Sequence, residues 1–125
     1  MPCRGIRGAT TAQSDCSEAI LDATRELLTA MATANGVAPE DVASVVFTVT
    51  QDLRAVFPAL AARQMGWHHV PLLDACEIPV PDSLPRCIRV LMHCNTEKSQ
   101  SEIEHIYLRG AVQLRPDLVS QGVTR

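Results

Sequence analysis

One stretch of the chain constrains the fold more than any other. Between residues 17 and 34, Ile20, Leu21, Thr24, Leu27, Leu28 and Met31 recur at helical spacing and form a single apolar stripe. Asp15 followed by Glu18 fits a capping box ahead of this segment, and Asn35-Gly36 is a stop signal behind it. This is the one long helix. The remaining elements are short. Cys3 to Thr11 reads as a first strand, and Pro39-Glu40-Asp41 starts a single helical turn. Val42 to Thr50 is β-branched or apolar on both faces, which marks a central strand. Ala59 to Met65 is a brief helix closed by Gly66, and His69 to Leu73 a further strand. Pro79, Pro81 and Pro85 make residues 78–85 an extended loop. Cys87 to Asn95 alternates as a strand, Ser101 to Glu104 is a short helix, and His105 to Leu108 is the last strand.

The sum is an α+β domain, a mixed five-stranded sheet with one long helix. A lone helix covers one face of such a sheet. The other face must also be buried, so the chain is expected to oligomerise with sheets packed face to face. At 125 residues it makes a single domain, taken as residues 1–118, with 119–125 as a flexible C-terminal tail.

Charge and composition exclude several functions. The net charge is −3, and of 11 basic residues 10 are Arg and only Lys98 is Lys. Scattered arginines on a net negative chain make a poor nucleic-acid surface, and the aromatics Phe47, Phe57, Trp67 and Tyr107 are too few for base-stacking platforms. No apolar run is long enough to span a membrane, and the N-terminus lacks the apolar core of a secretory signal, so a cytoplasmic location is expected. Cys3, Cys16, Cys76, Cys87 and Cys94 match no disulfide framework or CxxC pair and read as free thiols. Cys87 with His93-Cys94 lacks the closely paired ligands of a zinc site, so no metal is expected.

No nucleophile motif or glycine-rich phosphate loop is present, and His68-His69 reads as decoration at a strand end. The arginines are more informative, because a guanidinium is always charged and its planar fork fits carboxylates. Arg89 sits mid-strand among apolar residues, where it either lies in a solvated or ion-paired setting or holds an anion. Arg7 is similarly placed, between glycines that leave room for a ligand. Arg63, Arg115 and Glu77 are each either surface groups or site groups, and Tyr107 is either core or a ligand contact. The residues by themselves reach as far as a small oligomer that binds a compact anion through arginines.

Several stretches carry a closer likeness. Arg4-Gly5-Ile6-Arg7-Gly8-Ala9-Thr10-Thr11 resembles the opening of the monofunctional bacterial chorismate mutases of the AroH class. So do Phe57-Pro58-Ala59 with Arg63, Gly66-Trp67, Val70-Pro71, Cys87-Ile88-Arg89-Val90, His105-Ile106-Tyr107-Leu108, and Ala111-Val112-Gln113-Leu114-Arg115-Pro116-Asp117-Leu118. The pieces occur in order over nearly the whole chain. The resemblance implies a homotrimer that closes into a pseudo-α/β barrel, with active sites between subunits and no metal or organic cofactor. It implies rearrangement of chorismate to prephenate, on the route to phenylalanine and tyrosine.

By the same resemblance Arg89 donates to the breaking ether oxygen and a carboxylate, and Arg7 binds the enolpyruvyl carboxylate with the Tyr107 hydroxyl. Glu77 accepts from the ring hydroxyl. Phe57, Ala59 and Leu114 shape the wall, while Arg63 and Arg115 supply positive field near the mouth. Phe57, Ala59, Arg63, Leu73 and Asp74 come from one subunit; Arg7, Glu77, Arg89 and Tyr107 come from its neighbour. Leu60 stands where some members carry Lys, and Asp74 where others carry Cys. Two other readings suit a small trimer with an arginine at a subunit cleft: a Rid-like imine deaminase and a non-enzymatic small-anion-binding protein.

Overall fold

The computed structural model describes residues 1–114. Arg115 and the expected 119–125 tail lie outside the described residues. Five strands form one sheet in the order β3-β2-β4-β1-β5, with β1 Cys3–Thr11, β2 Val42–Val49, β3 Leu72–Cys76, β4 Cys87–Asn95 and β5 Ile106–Tyr107. β4 pairs antiparallel with both β1 and β2, whereas β2 with β3 and β1 with β5 are parallel, so the sheet is mixed.

The long helix α1 spans Ser17–Asn35 and lies on one face of the sheet. Its stripe packs as expected, and Ile20, Leu27, Leu28 and Met31 are fully buried. They meet Ile6, Val45, Phe47, Ile88 and Met92, which the strand alternation turns to the same side. Gly8 is part of that seam. A Cβ there would stand 2.3 Å from the Met31 sulfur, so the missing side chain makes room for α1 rather than for a ligand. The helix stops at Gly36, which takes the left-handed φ of 62°. Asn35 clamps that end, donating to the carbonyls of Met31 and Glu104 and accepting from the Glu104 amide.

Three local expectations are corrected. The helix cap is Cys16, whose sulfur accepts from the Ala19 amide; Asp15 instead accepts from the amides of Arg54 and Ala55 and fastens a distant loop. The third strand lies at Leu72–Cys76 rather than 69–73, because pairing with β2 begins only past Pro71, whose carbonyl receives the Val45 amide. The expected helix at Ser101–Glu104 is a 3₁₀ turn at Gln100–Glu102, capped by the reciprocal Ser99–Glu102 pair. A second short helix, α2 at Ala59–Gln64, fills the β2–β3 crossover as the sequence indicated.

Among the described residues the other sheet face is covered only at its β1–β5 end, where the 3₁₀ turn Arg109–Leu114 packs on Ala9 and Tyr107. Strand pairing lays two rows across this face. Leu73, Val46, Leu91 and Arg7 form one; Ala75, Thr48, Arg89, Ala9 and Tyr107 form the next. Leu73 and Leu91 are exposed there, as are Phe57, Ile78 and Val80 on flanking segments.

Candidate active site

The site grows from the second row. Arg89 is placed mid-strand by β4, with Thr48 of β2 opposite on one side and Ala9 of β1 on the other. Its side chain is about half exposed, and its Nε lies 3.6 Å from Oε2 of Glu77. Glu77 follows β3, and its amide still bonds to the Val49 carbonyl, which carries the carboxylate back over β2 toward Arg89. The Thr48 hydroxyl donates to that same Oε2. Cys87, two residues before Arg89, is buried under the proline-rich segment, and burial raises its thiol pKa while the Arg89 guanidinium opposes the rise.

Arg7 is exposed on the neighbouring row, one strand away, and its backbone amide donates to Nδ1 of His105. Arg7, Thr48, Arg89, Tyr107 and Leu114 together line a cleft of about 390 Å³. Tyr107 belongs to both alternatives set out for it. Its ring is buried with Ala9 and Ala111, and it also lines this cleft. The turn at Arg109–Leu114, for which the sequence offered no periodic signal, carries Leu114 over the same edge of the sheet.

The remaining candidates lie elsewhere. Phe57 and Asp74 line a second cleft of about 840 Å³ at the β3 edge, together with Arg54. The two clefts share no lining residue. Asp74 pairs with Phe47 on the helix side of the sheet, and one carboxylate oxygen accepts the Ala59 amide at the start of α2. Burial pushes its pKa up, with the Ala59 amide and Arg63 pulling the other way. Adjacent Leu73 points to the uncovered face. Ala59 is wholly buried and lines neither cleft, and Arg63 is exposed in the last turn of α2. The group absent from the sequence reading is Thr48. Its β-branched side chain reads simply as strand, and only the register sets it between Glu77 and Arg89.

His93 faces the open side, where its Nδ1 meets the Ser44 hydroxyl at 3.1 Å, while Cys94 is buried on the opposite face. The pair therefore cannot ligate one ion, and no metal-ligating cluster occurs among the described residues.

Comparison with known proteins decides between the readings. Residues 3–118 match the profile of chorismate mutase type I. The chain belongs to that family. It is 60% identical over 118 residues to chorismate mutase AroH of Thermus thermophilus, covering 94% of this chain and 97% of the relative. It is 46% identical over 119 residues to chorismate mutase AroH of Bacillus subtilis, covering 94% of each. A solved chorismate mutase from Clostridium thermocellum superimposes with a TM-score of 0.85 at 50% identity, over 86% of this chain and 96% of that one. The chorismate mutase fold is thus shared over most of the chain.

Proposed function

We propose that this chorismate mutase converts chorismate to prephenate in a cytoplasmic homotrimer, each active site pairing the Arg7–Arg89 cleft of one subunit with the Phe57–Asp74 cleft of the next. The observation that carries this reading is the placement of the two clefts. One spans β2, β4, β1 and β5, and the other opens at the β3 edge, so they are distinct surfaces of one sheet that adjoin at β2. Two different patches that complement each other make a head-to-tail contact, and such contacts close into a ring where the rotation between copies completes a circle. The uncovered sheet face with Leu73 and Leu91 supplies apolar surface to bury in that ring. No helix among the described residues is long and apolar enough to cross a membrane.

The chemistry accounts for this residue set. In the rearrangement a C–O bond breaks while a C–C bond forms within one molecule, and no proton or group leaves. The protein therefore has to hold a flexible dicarboxylate compactly and meet the negative charge that grows on the ether oxygen. Arg89 is the donor for that oxygen. Its guanidinium is fixed on a central strand and offset from Glu77 at 3.6 Å, which leaves donors available to the substrate. Arg7 and the Tyr107 hydroxyl take a carboxylate, and Glu77 accepts from the ring hydroxyl. Phe57 and Leu114 supply wall. Leu73 adds apolar surface between subunits, Arg63 and Arg115 add positive field, and Asp74 and Ala59 act by shaping the start of α2.

A chorismate absorbance assay tests the reading. Absorbance falls without added cofactor, a chelator makes no difference, and the active species has the mass of three chains. A folded trimer without turnover contradicts the enzyme assignment, and full activity in a monomer contradicts the shared site.

A further inference from the structure

We infer that Thr48 is a positioning residue that holds the Glu77 carboxylate off Arg89 and so keeps the arginine's charge available to the substrate. The inference rests on the proposed function. Thr48 lies in the same cross-strand row as Arg89 and lines the same cleft, and its hydroxyl donates to Oε2 of Glu77. That oxygen is also the one facing Arg89 Nε, at 3.6 Å, which is longer than a hydrogen bond. Both contacts fall on Oε2, so Oε1 is left as the carboxylate's second acceptor.

Glu77 has little else to define it. It opens the proline-rich segment at the end of edge strand β3, and a glutamate side chain has several free torsions. Arg89 is the strongest partner within reach. Without a competing donor the carboxylate closes on the guanidinium as a direct pair and neutralises the charge that the transition state needs. Threonine suits the opposing task because its branched Cβ restricts χ1 and aims the hydroxyl from a fixed strand. Valine would fit the strand equally well and would lack the donor.

The test uses the full chain and compares Thr48→Val, Thr48→Ser and each change in a Glu77→Gln background, with thermal unfolding recorded for all. Thr48→Val is expected to lower kcat about tenfold while KM stays within about threefold, and Thr48→Ser to stay within about twofold of the parent. In the Glu77→Gln background, where no carboxylate can close on Arg89, Thr48→Val should change kcat by less than about twofold. Thr48→Ala replaces the valine variant in the same comparison if the latter does not fold. The inference is overturned if kcat is unchanged in Thr48→Val, if serine loses as much as valine, or if the loss is equal with Gln at position 77. A parent chain that fails to turn over chorismate overturns the proposed function itself, and it is measured first.

Discussion

Along β4, consecutive residues serve opposite faces of the sheet. Ile88, Val90 and Met92 are buried under α1, and Arg89, Leu91 and His93 turn to the uncovered side. On the covered face the packing is dense and mainly apolar, with Thr10 and Thr24 the polar side chains buried among it and a glycine at position 8 that admits Met31. On the open face a permanent charge stands mid-strand with a carboxylate held at 3.6 Å. Apolar packing is concentrated on one side, and Arg89 and Glu77 are kept on the other, where they cost little to solvate. The arginines divide in the same way. Arg4 and Arg86 donate to the carbonyls of Lys98 and Ala12, and Arg25 and Arg109 pair with Asp22 and Glu26. Arg7 and Arg89 point to the open face.

The largest effect that sharpens this contrast is on the covered side. Phe47→Ala removes a fully buried ring from beneath α1. It is expected to cost about 3–5 kcal/mol of unfolding free energy in a denaturant titration. A loss below about 1 kcal/mol would mean that the α1 face is not the main source of stability. Next comes Arg7→Gln on the open face. It is expected to raise KM for chorismate about tenfold or more, the scale of a lost charged hydrogen bond, while the melting temperature barely moves. A large fall in melting temperature with unchanged KM would place Arg7 with the structural arginines.

The smallest effect concerns Asp74, which sits on the covered side yet lines the second cleft. Its folded pKa is raised by burial. Such a group contributes stability below its unfolded pKa and loses that contribution as pH rises through the folded value. Asp74→Asn is therefore expected to melt above the parent at neutral pH, with the two curves converging below about pH 4. A variant that melts lower at pH 7 would show that the ionised carboxylate is needed at the start of α2.

How much of this could be read from the sequence follows from how local each signal is. The long helix was legible because its stripe repeats over several turns, and β4 because its alternation is strict. The capping box failed because Asp15 finds a better use across the molecule, on the amides of Arg54 and Ala55, and local spacing cannot reveal a partner that far along the chain. The shift of β3 has the same origin, since its ends are set by pairing with β2. In the site, Arg7, Arg89 and Tyr107 were legible as charges or a lone tyrosine in apolar strands. Thr48 was not, because a threonine in a strand is unremarked until the register sets it opposite Arg89. Nor could spacing alone separate Leu73 from Asp74, adjacent residues whose side chains leave the sheet on opposite faces.

The central claim is that the charge of Arg89 acts on the transition state. Replacing Arg89 by citrulline keeps the planar shape, exchanges one NH2 donor for a carbonyl oxygen and removes the charge. Steady-state turnover of chorismate by that semisynthetic protein should fall by at least about 10²–10³ in kcat, with a much smaller change in KM. Turnover within about threefold of the parent would contradict the account, because the ether oxygen would then be stabilised by something other than this guanidinium.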